Sequence, residues 1–196
     1  MKDLDQISEK DFILKSNRIT IRPLKKSDVH GLWPHFSNPA ITTFLAWNPH
    51  RTLEESLSVI SSLISQHKSG TSFHWVVLAK DKPIGLVSLI DVITNLRVWR
   101  VDRAELAYWI SPEHQKKGYA TEASSLVCGF AFEVLKLHKI LIYHAKENSA
   151  SKRVSEKLGA NLVGTLRDGF MKDAVWHDFG LYELLNPQSE KRLSSS

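Results

Sequence analysis

The residues that first converge on a chemistry are Gln115-Lys116-Lys117-Gly118-Tyr119-Ala120-Thr121-Glu122-Ala123. A glycine with a small residue two places on lets successive backbone N–H groups turn toward one point. A helix opening behind such a loop aims the positive end of its dipole at the same point. The product is a cradle for an anion of pyrophosphate type. Neither of the common phosphate fingerprints is present: no Gly-Lys-Ser/Thr follows a glycine-rich turn, and no G-x-G-x-x-G follows a strand. A plain strand-to-helix connection could carry the same residues, so the neighbouring segments have to decide.

Three other places hold chemistry-bearing side chains. Asn148 precedes Ser149-Ala150-Ser151 and is a good helix N-cap, with Ser151 in the first turn. Glu105 lies inside an otherwise apolar strand, where alternation puts it on one face with Ala107 and Trp109. It either faces a cleft or pairs with Arg103. Asp91 and His74 are further proton acceptors on adjacent strands, and Asp178 reads as structural. Cys128, the single cysteine, sits in an apolar helical stretch and reads as a small buried hydrophobe. Nine histidines give no H-x-x-x-H pair and one cysteine builds no zinc site, so no metal is implied. A G-x-S-x-G elbow is absent.

The elements that must position these residues follow from periodicity and punctuation. Arg18–Arg22 alternates as a first strand. Ser27-Asp28 caps a short helix that Pro34 should end after Trp33. A linker runs from Asn38 to Pro49. Thr52-Leu53-Glu54-Glu55 has the spacing of a capping box, with Leu53, Leu57, Ile60 and Ile64 on one helical face and Gly70 as the stop. Phe73–Ala79 and Ile84–Ile90 form a hairpin about Asp81-Lys82-Pro83. Asp91–Arg100 reads as a connection with its turn at Asn95. A strand from Arg103 to Ile110 ends at Ser111-Pro112. The helix behind Gly118 spans Ala120–Leu135 and buries Ala123, Leu126, Val127, Phe130 and Val134. Then come a strand at Ile140–Ala145, a short helix facing Val154 and Leu158 inward, and strands near Leu162–Leu166 and Val175–Leu184. A loop around Asp168-Gly169 separates the last two. This order predicts a single-layer mixed α/β sheet covered by helices on both faces.

Composition sets the frame. The 196 residues fit one domain, and 42% hydrophobic with 24% charged is an ordinary globular balance. The net charge of +5 suggests an anionic partner without choosing among nucleic acid, a phosphorylated cofactor and an acidic protein. No apolar run approaches the ~20 residues of a membrane-crossing helix. The mixed-charge start lacks the apolar stretch of a signal peptide, and a lone cysteine suits a reducing compartment, so a cytoplasmic location is expected.

The pattern Gln115-x-x-Gly118-x-Ala120, after a strand ending Tyr108-Trp109-Ile110-Ser111-Pro112, resembles the acetyl-CoA motif of the GNAT superfamily. Asn148-Ser149-Ala150-Ser151, Val154, Glu156-Lys157-Leu158-Gly159, Gly164, Arg167-Asp168-Gly169, Trp176-His177-Asp178 and Tyr182 resemble its RimJ/RimL branch, as do Trp47, Pro49 and Thr52-Leu53-Glu54. The likeness runs from Arg18 to Leu185. Lys116 departs from it, standing where many relatives carry glycine, and Ala160 replaces a usual aromatic.

That resemblance implies a single-domain GNAT-like α/β fold: a largely antiparallel mixed sheet with helices on both faces and splayed central strands. The acetyltransferase domain would span 18–185, between an N-terminal extension (1–17) and a disordered tail (186–196). It implies acetyl-CoA as cosubstrate, held by the strand end at Trp109, Ile110 and Ser111 and by Gln115, Lys116, Lys117, Gly118, Tyr119, Ala120 and Thr121. Asn148 would bond the pantetheine or order the amine. Ser151 would protonate the departing thiolate, Glu105 would be the base, and Trp33, Phe44 and Trp47 would line the acceptor side. Those three aromatics serve equally as core. The acceptor would be a protein N-terminal α-amino group, as for ribosomal-protein acetylation, or a small amine such as a polyamine, amino sugar or antibiotic. A non-catalytic acyl-CoA sensor is the reading outside enzymology. No direct nucleic-acid or membrane binding is expected, and a homodimer is an assembly the branch admits.

Overall fold

The computed structural model describes residues 7–190. Eight strands form one open sheet in the order β1-β2-β3-β4-β5-β6-β8-β7. The strands are β1 (Leu14–Lys15), β2 (Thr20–Pro23), β3 (Phe73–Ala79), β4 (Lys82–Leu96), β5 (Trp99–Ile110), β6 (Lys139–Ala145), β7 (Asn161–Lys172) and β8 (Val175–Leu185). All neighbours are antiparallel except β5 and β6. That parallel pair needs a crossover, which is the helix α4 (Tyr119–Glu133).

Helices cover both faces. On one lie α1 (Val29–Phe36), α2 (Pro39–Thr42) and α3 (Leu53–Ser69), burying Leu32, Phe36 and Ile60 against Val76 and Leu86. On the other, α4 buries Ala123, Val127 and Phe130 against Trp75, Leu106 and Ile110. A shorter helix, α5 (Ser149–Lys157), packs beside α4 and β6, and a single turn, α6 (Pro187–Glu190), closes the described chain. The sequence-derived fold class therefore stands. Before the first expected strand, a 3-10 turn (Glu9–Phe12) and β1 also join the body: Phe12 is buried and its carbonyl accepts from the Trp75 indole at 2.8 Å. The first part of the expected disordered tail is instead ordered, since Asn186 is buried and donates to the Leu137 carbonyl at 2.9 Å and α6 follows it; 191–196 lie outside the described residues.

Local details depart from the sequence reading for identifiable reasons. Pro34 sits inside α1 and does not end it. The hydrogen bond it forfeits would go to the His30 carbonyl, and His30 is exposed, so water can take that role. Asp28 does not cap α1 through its side chain; Arg22 engages it with two bonds of 2.7 and 2.8 Å. Leu57 is largely exposed because α3 buries a narrower stripe centred on Ile60. The first hairpin turns at Lys80-Asp81, both left-handed, so Lys82 and Pro83 already belong to β4. Asp91–Arg100 is no simple connection: β4 and β5 continue as a bulged ribbon whose Val98 is 94% exposed. Likewise β7 runs through Asp168-Gly169 by a register shift and turns only at Asp173-Ala174.

Candidate active site

The site begins with a fault in the sheet. Strands β5 and β6 pair only at Arg103↔Lys139, Ala104↔Ile140 and Glu105↔Leu141. Beyond Glu105 they part, so the β5 edge from Leu106 to Ile110 has no strand partner on that side. Backbone groups there are available to something other than the protein. This is the splay expected of the central strands.

A cleft of about 480 Å³ opens at the splay. Tyr108, Trp109 and Ile110 of β5 form one wall, and the loop to α4 forms the next with Gln115, Lys116 and Gly118. The loop is tightly turned where its glycine allows. Lys116 (φ 59°) and Gly118 (φ 84°) are both left-handed, and Gly118 stands at the N-cap position of α4, followed by Tyr119, Ala120 and Thr121. The positive φ at 116 explains why glycine is at home there: a residue with Cβ is strained by ~1–2 kcal/mol. Gln115 Nε2 donates to the Ile110 carbonyl at 2.9 Å, tying loop to strand.

Arg18 secures the loop from outside. It donates to the Lys117 carbonyl at 2.9 Å, pairs with Glu122, and lies 4.9 Å from the centre of the Tyr119 ring. Glu122 is in the first turn of α4, where a bare carboxylate would oppose an incoming phosphate. Arg18 masks it. Lys117 itself does not line the cleft, since its ammonium turns back to the Glu113 carbonyl at 2.8 Å. Ser111 is buried beside His114 at 2.9 Å and stays behind the wall.

The far wall is the start of α5. Asn148 and Ser151 both line the cleft. Asn148 is a cap as well: its Oδ1 accepts from the Ser151 N–H at 3.1 Å. Tyr108 donates to the Ser151 carbonyl at 3.3 Å, and burial pushes its phenol up to about 12. It therefore stays protonated. Arg153 and Lys157 also line the cleft, one helical turn apart. Sequence reasoning gave neither residue a place in the site, because their i, i+4 spacing behind Asn148 suits a solvated helix face equally well. Among the described residues no aspartate or glutamate lines the cleft, whereas Lys116, Arg153 and Lys157 do.

The roof is Ala40–Ile41 and Thr43–Leu45, with Phe44 41% exposed. Trp47 lies behind it, edge-on to Phe36 and Trp109 at 5.5 and 6.4 Å. Trp33 is half-buried on α1 and lies outside the lining.

Glu105 leaves β5 on the face opposite α4, with Ala107 and Trp109, as alternation predicts. It stands at the last residue pair before the splay rather than in the cleft wall. Burial first, and the nearby Asp91 carboxylate second, push its carboxyl up to about 7. Arg103 does not act on it. His74 is held neutral, lowered to about 4 by burial, with both ring nitrogens engaged by Ser88 and Gln66. Asp178 is structural, accepting from the Asp168 N–H at 3.2 Å. Burial raises the Cys128 thiol to about 12, which leaves it inert. No group of metal-ligating side chains occurs among the described residues.

Comparison with known proteins is consistent with this geometry. The family model for the acetyltransferase (GNAT) domain matches residues 18–161. The uncharacterized N-acetyltransferase YoaA of Bacillus subtilis is 26% identical over 178 residues, covering 90% of this chain and 98% of its own. Spermidine N(1)-acetyltransferase of Escherichia coli K12 is 30% identical over 156 residues, 79% of each chain. Among solved structures, RimL, a ribosomal L7/L12 α-N-protein acetyltransferase in complex with coenzyme A, superposes with a TM-score of 0.81 at 18% identity. That match covers 88% of this chain and 97% of RimL.

Proposed function

The chain belongs to the GNAT acetyltransferase family, and from that premise we propose that it binds acetyl-CoA in the splay and acetylates the α-amino group of a polypeptide N-terminus, as the RimJ/RimL branch does. The observation that carries the reading is the junction of splay and loop. An unpaired β5 edge and the left-handed Gly118 turn line one cleft that is cationic and without carboxylates. The phosphates of coenzyme A fit the Gly118 loop, the N-terminus of α4 and the side chains of Lys116, Arg153 and Lys157. The open β5 amides suit the pantetheine arm and the thioester oxygen as it gains charge.

The chemistry is a direct transfer. The amine nitrogen attacks the thioester carbonyl carbon, the C–S bond breaks, and the sulfur leaves as thiolate. Ser151, at the N-terminus of α5, gives that sulfur its proton. Glu105 takes the proton lost by the amine through water, since it lies beside the cleft and not in its wall. An α-amino group, with a pKa near 8, asks only a modest base, and a carboxyl poised at about 7 is matched to it.

The second reading is a polyamine acceptor, favoured by the spermidine-acetylating relative and by Asp91 close to Glu105. Electrostatics weigh against it: a polycation would approach a cleft lined by Lys116, Arg153 and Lys157. The test is calorimetric titration of acetyl-CoA into the native protein and Gly118→Asp, then thiol release against N-terminal peptides and polyamines. Binding lost in the variant, with release driven by peptides, is expected. Release driven by spermidine alone would transfer the assignment to the second reading, and absence of binding would end both.

A further inference from the structure

Lys172, the last residue of β7, reaches across the molecule to the roof of the cleft. Its ammonium donates to the carbonyls of Thr42, Leu45 at 2.8 Å and Trp47 at 3.4 Å. A lysine carries three N–H donors and no acceptor, so three carbonyls saturate it. Those carbonyls belong to the end of α2 and the irregular stretch that presents Thr43, Phe44 and Leu45 to the cleft. Main-chain ties in that stretch are few, and side-chain packing holds chiefly its Trp47 end: Leu45 N–H bonds back to Thr42, and the next such tie is His50 N–H to Phe36. The base of the pin is anchored by pairing and stacking. Lys172 pairs with Val175 across the tight Asp173-Ala174 turn, and Phe170, two residues back on the same face, stacks on Phe179 at 4.6 Å and His177 at 5.0 Å.

We propose that Lys172 is a positioning residue for the acceptor: it fixes the Thr42–Trp47 roof over the splay, so that Phe44 meets the incoming amine from a preset position. The inference rests on the reading that the acceptor enters under this roof. A charged hydrogen-bonded hub of this kind sets one geometry for a segment whose own bonds would not. Arginine cannot replace it, because a planar fork does not converge on three oxygens around one point.

The experiment compares native protein with Lys172→Met and Lys172→Arg. Acetyl-CoA affinity is measured by calorimetry, acceptor KM and kcat by thiol release with an N-terminal peptide, and amide hydrogen exchange is followed over 43–48. For both variants, the acceptor KM should rise about tenfold or more, from the loss of charged hydrogen bonds. Acetyl-CoA affinity and kcat at saturating peptide should stay within about twofold, and exchange at 43–48 should quicken about tenfold by the same loss. Unchanged acceptor KM with unchanged exchange overturns the proposal. So does a loss of acetyl-CoA affinity that matches the rise in acceptor KM, which would mark a general structural role, and so does full rescue by arginine. If the native protein binds acetyl-CoA but turns over no peptide, the acceptor reading fails separately. The exchange comparison then decides the pin alone, quickened exchange sustaining it and unchanged exchange removing it.

Discussion

In the proposed mechanism Glu105 and Ser151 would carry opposite proton traffic, and each role has a distinguishable signature. With its carboxyl raised to about 7 by burial and by Asp91, Glu105 is half-ionised near neutrality. A base must be ionised, so kcat/KM should climb with pH through about 7. Glu105→Gln should remove the limb at about 7, leaving the amine's own at about 8, and lower kcat/KM by ~10²–10⁴; a limb at about 7 that survives in Glu105→Gln would move the base elsewhere. The same shift makes a stability statement of known sign. A carboxyl whose folded pKa exceeds its unfolded value binds the proton more tightly when folded. Folding therefore loses stability as pH rises from about 4.5 to about 7. Glu105→Gln should then be more stable than native protein at pH 8, by on the order of 1 kcal/mol after screening, because the side chain is only half-buried. Ser151 separates chemistry from capping. Asn148 accepts from the main-chain N–H of residue 151, which alanine keeps. Ser151→Ala should leave melting and acetyl-CoA affinity unchanged while kcat falls by ~10²-fold as the thiolate loses its acid. An unaltered kcat would reduce Ser151 to a helix residue.

The loop ahead of α4 shows what an element contributes beyond its side chains. Gly118 is left-handed at the N-cap position, and an added Cβ would meet the Arg18 guanidinium at 3.4 Å. Lys116 adopts a similar φ without being glycine. Lys116→Gly should therefore relieve strain and raise stability by about 1 kcal/mol, less the entropy glycine costs when unfolded. Calorimetric melting checks this, and no gain would mean that the lysine side chain repays its own strain. Much of this element was legible, since the Gln115–Ala123 pattern and the α4 periodicity placed both cradle and helix. Thr52 likewise caps α3, accepting from the Glu55 N–H at 3.1 Å, although the Glu55 carboxylate reaches back one residue further, to the Arg51 N–H at 2.7 Å. Strand extent was less legible. Asp91 and Asn95 look like loop punctuation, yet bulges let β4 carry both, as a register shift lets β7 carry Asp168-Gly169. Arg153 and Lys157 were hidden because a charge on a helix looks the same whether it faces water or a phosphate. The contact between Lys172 and the carbonyls of 42–47 has no local signal, because it joins segments well over a hundred residues apart.

At the scale of the whole molecule, the sheet is two half-sheets joined through three parallel residue pairs. Strands β1–β5 carry α1–α3 on one face and α4 on the other, while β6–β8 form the second half with α5 packed on β6. Other ties across the gap include the contact between α4 and α5, the bond from the Tyr108 hydroxyl to the Ser151 carbonyl, and the reach of Lys172. A cosubstrate lying in the splay would touch the β5 edge and the α4 loop on one side and the start of α5 on the other, so its binding energy would bind the halves together. Ligand that prefers the folded state stabilises it by RT ln(1 + [L]/Kd), about 2.7 kcal/mol at a hundredfold excess over Kd. For a chain of this length that is a rise in melting temperature of about 5–10 °C. Gly118→Asp should abolish the rise by placing strain and a negative charge in the cradle, while melting no more than a few degrees lower by itself. Because Lys116, Arg153 and Lys157 line the cleft, the rise at fixed acetyl-CoA should also shrink as salt increases. A rise that persists in Gly118→Asp, or that ignores salt, would put the cosubstrate somewhere other than the splay.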